Sequence, residues 1–375
     1  MSNLPEKVYY DVLISNLNTN VVGATPATYN ESRQNPYLSN PSRYNMSIIR
    51  WSLDSQSLPI WRCNIQPTAR DPNKSIYSFT MTYIDPTTNL TITSDQTYLI
   101  FLPQNLAVPV PPAPINNGGQ QYNGTLYYDI YNYSLVIYLI NETINTTFQK
   151  LQNSATTAGI TLPTSSPPSF IWDNLNNRII LTGSISAYGD VYRGFRSGQI
   201  NIYMNPAMAN LLSGMPILLK SLSDTTGLNY IIATRTDTIN NIIDTDSMII
   251  RQEISSVSIW NPVVSIVITS TTLPVRPNLA SGVIKQTDVN GLSSSASSNA
   301  LVYPIITDFE TDGVYKNFIL YNPTSEYRRI ELIGNSELNN LDISVFWRAR
   351  DASLNQIILP ANASLSIKIL FELKN

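Results

Sequence analysis

The ten residues before Asn375 alternate almost strictly between apolar and polar side chains, and this pattern constrains the fold more than any other stretch. Successive side chains of a β-strand point to opposite faces, so the alternation predicts a strand with one buried and one solvent-exposed face. The segment from Leu341 to Arg348 alternates in the same way. A frayed tail would be polar and patternless, so two such strands predict that the C-terminal third forms half of a β-sandwich. The apolar face of the last strand consists of Leu365, Ile367, Ile369, Phe371 and Leu373.

The composition favours β-structure and self-association. Only 13% of the residues are charged, against roughly a quarter in an average protein, so Asn, Ser, Thr and the 22 Tyr must supply the polar surface. Tyr, Thr and Ile also raise strand propensity. Low charge density weakens self-repulsion and suits a protein that packs against its own copies. The net charge of −3 argues against a general nucleic-acid binder, although it does not exclude a local basic patch.

The absence of histidine removes the commonest kinds of catalytic and metal site. Ser-His-Asp and Cys-His catalysis and histidine metal ligation are excluded, and nothing in the sequence selects a carboxylate pair for glycoside hydrolysis. We therefore expect no enzyme, and we assign no catalytic, cofactor-binding or metal-binding residue. The single Cys63 permits no intrachain disulfide and favours a reducing compartment. No signal-peptide pattern and no run of 18 apolar residues is present, so no membrane span is expected.

One oxygen-rich segment has the residue types of a calcium site. It contains Asp237, Asp244 and Asp246 near Asn240 and Asn241, and carboxylate and amide oxygens are calcium ligands. The spacing matches no calcium loop, and Asp and Asn also favour turns through local hydrogen bonds. The segment is therefore interpreted as turn-rich chain.

A change in composition predicts a domain boundary. The stiff run Val108–Pro114 is followed by the flexible Asn116–Gly119. An amphipathic helix follows, with Ser134 as its expected N-cap and a stripe that predicts burial against its own domain. We thus expect an α+β domain over residues 104–253, inserted between all-β flanks at 1–103 and 254–375. The helical stripe consists of Val136, Ile140, Ile144, Phe148 and Leu151.

Four further segments carry specific expectations. Residues 1–43 include an irregular, proline-containing part, which is expected to be an arm lying on a neighbour or an ordered loop. The strand Tyr44–Leu53 changes phase at Ile48 and Ile49, which predicts a bulge. The strand Tyr77–Tyr83 alternates, and Thr97–Leu102 is a mostly apolar run expected to be buried on both sides. Residues 276–299, with their serine tract, are expected to be a surface loop.

Charged residues near the C-terminus have two possible roles. They could form salt bridges between subunits or remain ordinary solvated charges. They are Arg328, Arg329, Arg348, Arg350 and Asp351.

Several segments resemble penton (minor capsid) proteins of virophages and polinton-like viruses, most closely those of the Sputnik type. The resemblance covers nearly the whole chain and is weak in the proline-rich and serine-rich loops. The N-terminal segments that carry it are Asp11–Leu17, Tyr29–Arg33, Asn40–Ser42 and Ser47–Arg50. The later ones are Ile259–Val267, Ile306–Phe309, Tyr321–Arg328, Leu341–Trp347 and Leu365–Phe371.

The resemblance implies a single jelly roll that carries an insertion, with five copies at each icosahedral vertex. The implied partners are copies of itself and the major capsid protein. The change in composition, and not the resemblance, motivates a further hypothesis, in which the insertion projects outward and contacts a host-surface receptor or glycan. The implied location is the virion vertex, after synthesis in the host cytoplasm. The alternative is a soluble carbohydrate-binding sandwich or adhesin, which the Tyr- and Asn-rich composition also favours.

Overall fold

A computed structural model describes most of the chain, and every structural statement below concerns the described residues. They are 4–16, 25–189, 197–220, 230–232, 247–276, 278–279, 284–287, 293–295, 304–311, 318–321 and 328–374.

The chain is mainly β, with one long helix. Among the described residues, no helix is long and apolar enough to cross a membrane. The strands are β1 (Lys7–Ser15), β2 (Thr25–Pro26), β3 (Thr28–Ser32), β4 (Tyr44–Asp54), β5 (Trp61–Arg62), β6 (Lys74–Ile84), β7 (Thr91–Thr93), β8 (Thr97–Ile100), β9 (Asp129–Ile130), β10 (Ser169–Asp173), β11 (Arg178–Ser184), β12 (Ile200–Met204), β13 (Ile217–Leu219), β14 (Tyr230–Ile232), β15 (Ser247–Arg251), β16 (Val263–Thr269), β17 (Asn278–Leu279), β18 (Ile284–Thr287), β19 (Ser293–Ser295), β20 (Pro304–Glu310), β21 (Phe318–Tyr321), β22 (Ile330–Glu331), β23 (Asn340–Ala349), β24 (Leu354–Gln356), β25 (Ile358–Leu359) and β26 (Ser364–Leu373). The helices are α1 (Tyr133–Thr157), α2 (Ile185–Tyr188), α3 (Pro206–Leu211) and α4 (Val257–Trp260).

Eight of these strands form a jelly roll. One sheet has the order β1-β26-β4-β21, and the other contains β3-β23-β16-β20. If only these eight strands are counted, from 1 for β1 to 8 for β26, the first sheet has the order 1-8-3-6 and the second has the order 2-7-4-5. Neighbouring strands are antiparallel throughout. This is the two-sheet arrangement of a jelly roll, so the predicted fold class is confirmed.

The core of the jelly roll comes from the alternating strands that the sequence makes visible. The inward side chains of β26 and β23 are buried and pack with those of β4 and β16. The phase change predicted in β4 is present, because the register with β26 shifts where Lys368 lies opposite Arg50 and Ile369 lies opposite Ile48. Ile49 is the extra residue of this bulge.

The N-terminal segment belongs to the sandwich, and the expected arm over residues 1–43 is wrong for its described part. β1 pairs with β26 along its whole length, and β3 pairs with β23. The reason is the apolar phase of β1, in which Val12 and Ile14 are buried in the core. Irregular composition between two strands concealed that each strand completes a sheet.

Part of the predicted loop at 276–299 is also paired. β17 lies beside β20, and β18 joins β24 and β19. Main-chain pairing at a sheet edge needs no apolar pattern, so the serine tract gave no sign of β19.

A second core is built by the chain between the third and fourth jelly-roll strands, β4 and β16. Its larger sheet has the order β13-β14-β12-β6-β7, with β8 also beside β6, and a smaller sheet has the order β10-β11-β15. α1 packs against both sheets and buries the predicted stripe from Val136 to Leu151. Its N-cap is Asn132 and not Ser134, because the Asn132 side chain accepts a hydrogen bond from the Leu135 N–H at 2.8 Å.

The change of core does not coincide with the boundaries at residues 103 and 253. β6 pairs with β12, with Tyr83 opposite Ile200, and the second core includes residues from Ile60 to Trp260. Val108 of the proline run is buried in it. A pairing across more than a hundred residues leaves no local change in composition, so the proline run marked a bend inside this unit.

Two strands of the second core differ from expectation. In β6, the polar residues that alternate with the apolar ones, including Ser78 and Thr82, are buried as well. β8 is covered on one side only, because Leu99 is fully buried whereas Ile100 is 51% exposed. The apolar run of β8 therefore did not indicate burial on both faces.

Candidate assembly surface

The outer face of the first jelly-roll sheet carries a trough with apolar walls. Leu13 lies opposite Ser366, Ser366 lies opposite Ser52, and Ser52 lies opposite Leu320. The two serine hydroxyls form the floor and lie 2.7 Å apart in a hydrogen bond. Neighbouring strands are about 4.8 Å apart, so Leu13 and Leu320 stand on the two sides of the sheet.

Both walls are exposed and lie on the edge strands. Leu13 is 61% and Leu320 is 56% exposed. Phe318 continues the second wall on β21, while Tyr9 is a further exposed aromatic residue on the same face of β1, beyond Asp11. Exposed apolar side chains that cluster on one face are characteristic of protein–protein contacts.

A charged row crosses the same face beside the trough. Asp11 lies opposite Lys368, and Lys368 lies opposite Arg50. The Asp11 carboxylate is 3.5 Å from the Lys368 ammonium and 3.8 Å from the Arg50 guanidinium. Because these groups are partly exposed, they add little to stability, and the row presents one excess positive charge to a neighbour.

The open side of the sandwich is closed by a cluster around Glu31. The hydroxyls of Tyr10 and Tyr29 both donate to Glu31 Oε2, and Arg33 Nε donates to Glu31 Oε1 at 2.9 Å. Tyr37 packs edge-on against Tyr10, with ring centroids 5.0 Å apart. Since Tyr10 is on β1 and Glu31 on β3, the cluster joins the edge strands of the two sheets.

The charge states of this cluster are fixed over the ordinary pH range. Hydrogen bonds from Tyr10, Tyr29 and Arg33 lower the pKa of Glu31 to about 2. Burial, with the hydrogen bond to Glu31, raises the pKa of Tyr29 to about 12 and that of Tyr10 further. The carboxylate is therefore ionised and the phenols are neutral, so this side of the sandwich is not a pH switch.

The arginines singled out from the sequence are engaged within the chain. Arg348 pairs with the Asp308 carboxylate at 3.0 Å, while Arg328 donates to the Asp308 carbonyl at 2.6 Å. Arg329 lies 3.1 Å from Glu372, and Arg350 donates to main-chain carbonyls of the segment that returns from the second core. Contacts of these residues with another subunit remain a prediction. Asp351 accepts hydrogen bonds from Ser353.

A buried ion pair of the second core lies where that core meets the sandwich. Arg62 Nε and Nη2 donate to the two Asp129 carboxylate oxygens at 2.5 and 2.9 Å. The Asp129 side chain is fully buried, and the Arg62 guanidinium lies 4.9 Å from the ring centroid of Trp347, which belongs to the jelly-roll core. A bidentate pair holds a guanidinium in one orientation, so it positions Arg62 for its contact with Trp347 of the sandwich.

The candidate metal segment cannot be placed, because Asp237, Asn240, Asn241, Asp244 and Asp246 lie outside the described residues. Within the described ranges, no group of three or more Cys, Asp or Glu residues is arranged to hold a metal ion. Cys63 is buried, and burial raises the pKa of its thiol well above the ordinary value.

The trough was not predicted, although the sequence contains a signal for it. Tyr9 and Leu13 stand in the polar phase of β1, whose other apolar residues face the core. Apolar residues in both phases of an edge strand therefore indicate a second contact surface. Its other wall on β21 depends on pairing with β4, which no local pattern shows.

Comparison with known proteins relates this architecture to viral capsids. The model of the family described as Sputnik minor capsid protein V18/19 matches residues 8–373. The uncharacterized protein V18 of Sputnik virophage is 34% identical over 150 residues, which cover 39% of this chain and 85% of that protein.

Two solved structures share the fold over nearly the full length. A chain in the cryo-EM structure of the Sputnik virophage has a TM-score of 0.78 and 26% identity, with 99% of each chain covered. The crystal structure of the mavirus penton protein has a TM-score of 0.59 and 14% identity, with 98% of this chain and all of that chain covered, and this likeness concerns the fold alone. Because the family match spans the jelly roll and the second core together, the chain belongs to the Sputnik minor capsid protein V18/19 family.

Proposed function

We propose that five copies of this chain form a ring, the penton, at each five-fold vertex of an icosahedral virion. The role is structural and not catalytic. The observation that carries the proposal is the family match over residues 8–373, and the apolar trough on the outer sheet face supports it. A contact between two different surfaces, repeated about an axis, closes a ring when the rotation fits.

The trough supplies one half of such a contact. Its walls are apolar, its floor is small and polar, and its charged row carries an excess positive charge. A neighbouring subunit would fill it with a complementary surface and bury Leu13 and Leu320. The major capsid protein would surround the ring, and the chain would reach the virion after synthesis in the host cytoplasm.

The second core is proposed to be an inserted domain that projects from the capsid and contacts the host surface. Support comes from its place in the chain, since it interrupts the jelly roll between β4 and β16 without removing a strand. The Arg62–Asp129 pair on Trp347 would hold it in a defined orientation. Particles that lack residues 60–260, yet assemble and infect normally, would contradict this role.

The ring is tested by the solution mass of the full-length chain, measured by light scattering with and without the major capsid protein. We expect a mass of five chains, alone or when the partner is added. The double variant Leu13→Glu/Leu320→Glu should remain folded and lose assembly, because it places two carboxylates in the trough. A chain that stays monomeric and is not incorporated into shells would overturn the proposal.

The matched control is Leu175→Glu. Leu175 lies in the turn between β10 and β11 and is 93% exposed, so its substitution adds one carboxylate, the change made at each wall of the trough, in the second core. Equal loss of assembly in this variant would show that charge alone, and not the trough, is responsible.

The same protein preparation also tests the alternative function, a carbohydrate-binding module. A junction cavity of about 360 Å³ is lined by Trp61, Trp260 and Asn64 among others, but both tryptophan side chains are buried. This alternative would be favoured if the chain bound glycans on an array as a monomer and did not associate with the major capsid protein.

A further inference from the structure

A groove lies between the edge strand β8 and the helix α1, far in sequence from the assembly surface. Its volume is about 510 Å³. One wall comes from alternate positions of the β8 segment and the other from every fourth residue of α1, so both walls follow the periodicity of their elements. The first wall contains Gln96, Tyr98, Ile100 and Leu102. The second contains Tyr138, Glu142, Thr146 and Lys150.

The apolar part of the groove is exposed. Ile100, Leu102 and Tyr138 are each about half exposed, although all three are large and lie together. Their exposure on both walls of one groove is therefore the property of a binding surface and not of scattered surface residues.

The open edge of β8 offers main-chain hydrogen bonds. Within the described strands, β8 pairs with β6 and with no other. The Phe101 N–H donates to the Asn73 carbonyl across this pairing at 2.7 Å. Because successive residues of an antiparallel strand direct their N–H and C=O groups to opposite sides, the adjacent Ile100 directs its own toward the open edge.

The dimensions suit a short extended segment. From Tyr138 to Lys150 the helix rises about 18 Å, at 1.5 Å per residue. The segment from Gln96 to Leu102, which contains β8 at its middle, would span about 20 Å when extended, at 3.3 Å per residue. Six residues of extended chain have the same length.

The charges select an acidic occupant. Lys74 and Lys150 line the groove with a single carboxylate, Glu142. The Lys74 ammonium lies 4.9 Å from the Tyr98 ring centroid, and no ion pair joins either lysine to a carboxylate among the described residues.

We propose that this groove binds an extended, acidic segment of another polypeptide, which adds as a strand to β8. In this mode, main-chain hydrogen bonds supply affinity, and alternate side chains of the bound segment supply specificity. The apolar side chains of the segment contact Ile100, Leu102 and Tyr138, while its carboxylates lie near Lys74 and Lys150. The inference does not depend on ring formation, since it uses no residue of the sandwich.

The test uses the full-length chain and fluorescein-labelled hexapeptides in which valine or leucine alternates with aspartate. Binding is followed by fluorescence anisotropy. Replacing aspartate by lysine in the peptide should weaken binding at least about tenfold, as should N-methylation of alternate peptide amides. Ile100→Lys and Lys150→Glu in the protein should each have a similar effect, whereas the matched control Leu175→Lys should have none.

Hydrogen exchange supplies an independent readout, because strand addition protects the Ile100 amide when the aspartate peptide is present. Thermal unfolding and circular dichroism establish that each variant is folded. The proposal is overturned if no peptide of the aspartate set binds, if N-methylated peptides bind equally well, or if binding survives Ile100→Lys.

Discussion

The jelly roll and the second core bury their strands in different ways. In the first jelly-roll sheet, β4 and β26 place alternate residues in the core and leave the residues between them at least partly exposed on the outer face. In the second core, β6 has its polar phase buried as well, and Ser78 receives a hydrogen bond from Gln96. The jelly roll therefore exposes a broad sheet face, whereas the second core encloses its central strand β6.

Breaking the buried ion pair at the junction of the two units should have the largest effect. Asp129→Ala leaves the Arg62 guanidinium buried without a partner, and removing one member of a buried pair costs about 3–5 kcal/mol. We expect a lower urea midpoint and faster proteolysis near the junction.

The double variant Arg62→Met/Asp129→Leu is the control for this loss. Replacement of both charges by apolar groups is often neutral or stabilising. If the double variant is as unstable as Asp129→Ala, the junction depends on more than the ion pair.

A cavity-forming substitution in each core would show whether the two cores unfold together. Ile140 in α1 and Ile369 in β26 are both fully buried, and an Ile→Ala change at such a site costs about 3 kcal/mol. We expect Ile140→Ala to raise hydrogen exchange mainly in the second core, and Ile369→Ala mainly in the sandwich. Equal exchange throughout in both variants would mean that the chain is one cooperative unit.

Low pH should lower the free energy of unfolding of the sandwich, because Asp342 becomes protonated. Partial burial raises the pKa of Asp342, but hydrogen bonds from Thr272, Ser270 and Thr271 outweigh it and lower the pKa to about 2. A carboxyl with a lowered folded-state pKa contributes stability above its unfolded-state pKa, near 4, and this contribution is lost as the pH falls toward 2.

Urea unfolding at pH 5 and pH 3 measures this loss. Asp342→Asn should cost about 1–3 kcal/mol at pH 5 and less at pH 3. Asp173→Asn, in the exposed β10–β11 turn of the second core, serves as the matched change and should have a smaller effect. A pH-independent loss for Asp342→Asn would contradict the assignment.

Removal of the N-cap of α1 should have the smallest effect on stability. Asn132→Ala removes the hydrogen bond to the Leu135 N–H and should cost about 1 kcal/mol. Ser134→Ala removes no cap and should change stability by less than about 0.5 kcal/mol. Thermal unfolding of the two variants separates the positions, and the reverse order would support the cap expected from the sequence.

Local periodicity made some features predictable. The inward phase of β26, the bulge at Ile49 and the buried stripe of α1 each depend on residues only a few positions apart. The cap was misplaced by two residues because Asn132 and Ser134 are both good capping residues.

Pairings between distant segments were not predictable in this way. The change of core near Ile60 depends on β6 lying beside β12, and the exposed face of β8 depends on β8 lying at an edge. The trough likewise requires four separate strands, two from the first 54 residues and two from residues 318–373. Its local sign was the presence of Tyr9 and Leu13 among the polar positions of β1.

The position of β26 between β1 and β4 has a consequence for synthesis. Ser364 leaves the ribosome roughly 310 residues after Asp54, which at about 5–20 residues per second takes on the order of 15–60 s. Until then β1 and β4, the two strands that flank β26 in the finished sheet, have no strand between them. A prematurely terminated chain lacks the middle of the trough floor, so nascent or truncated copies cannot present the completed surface to finished subunits.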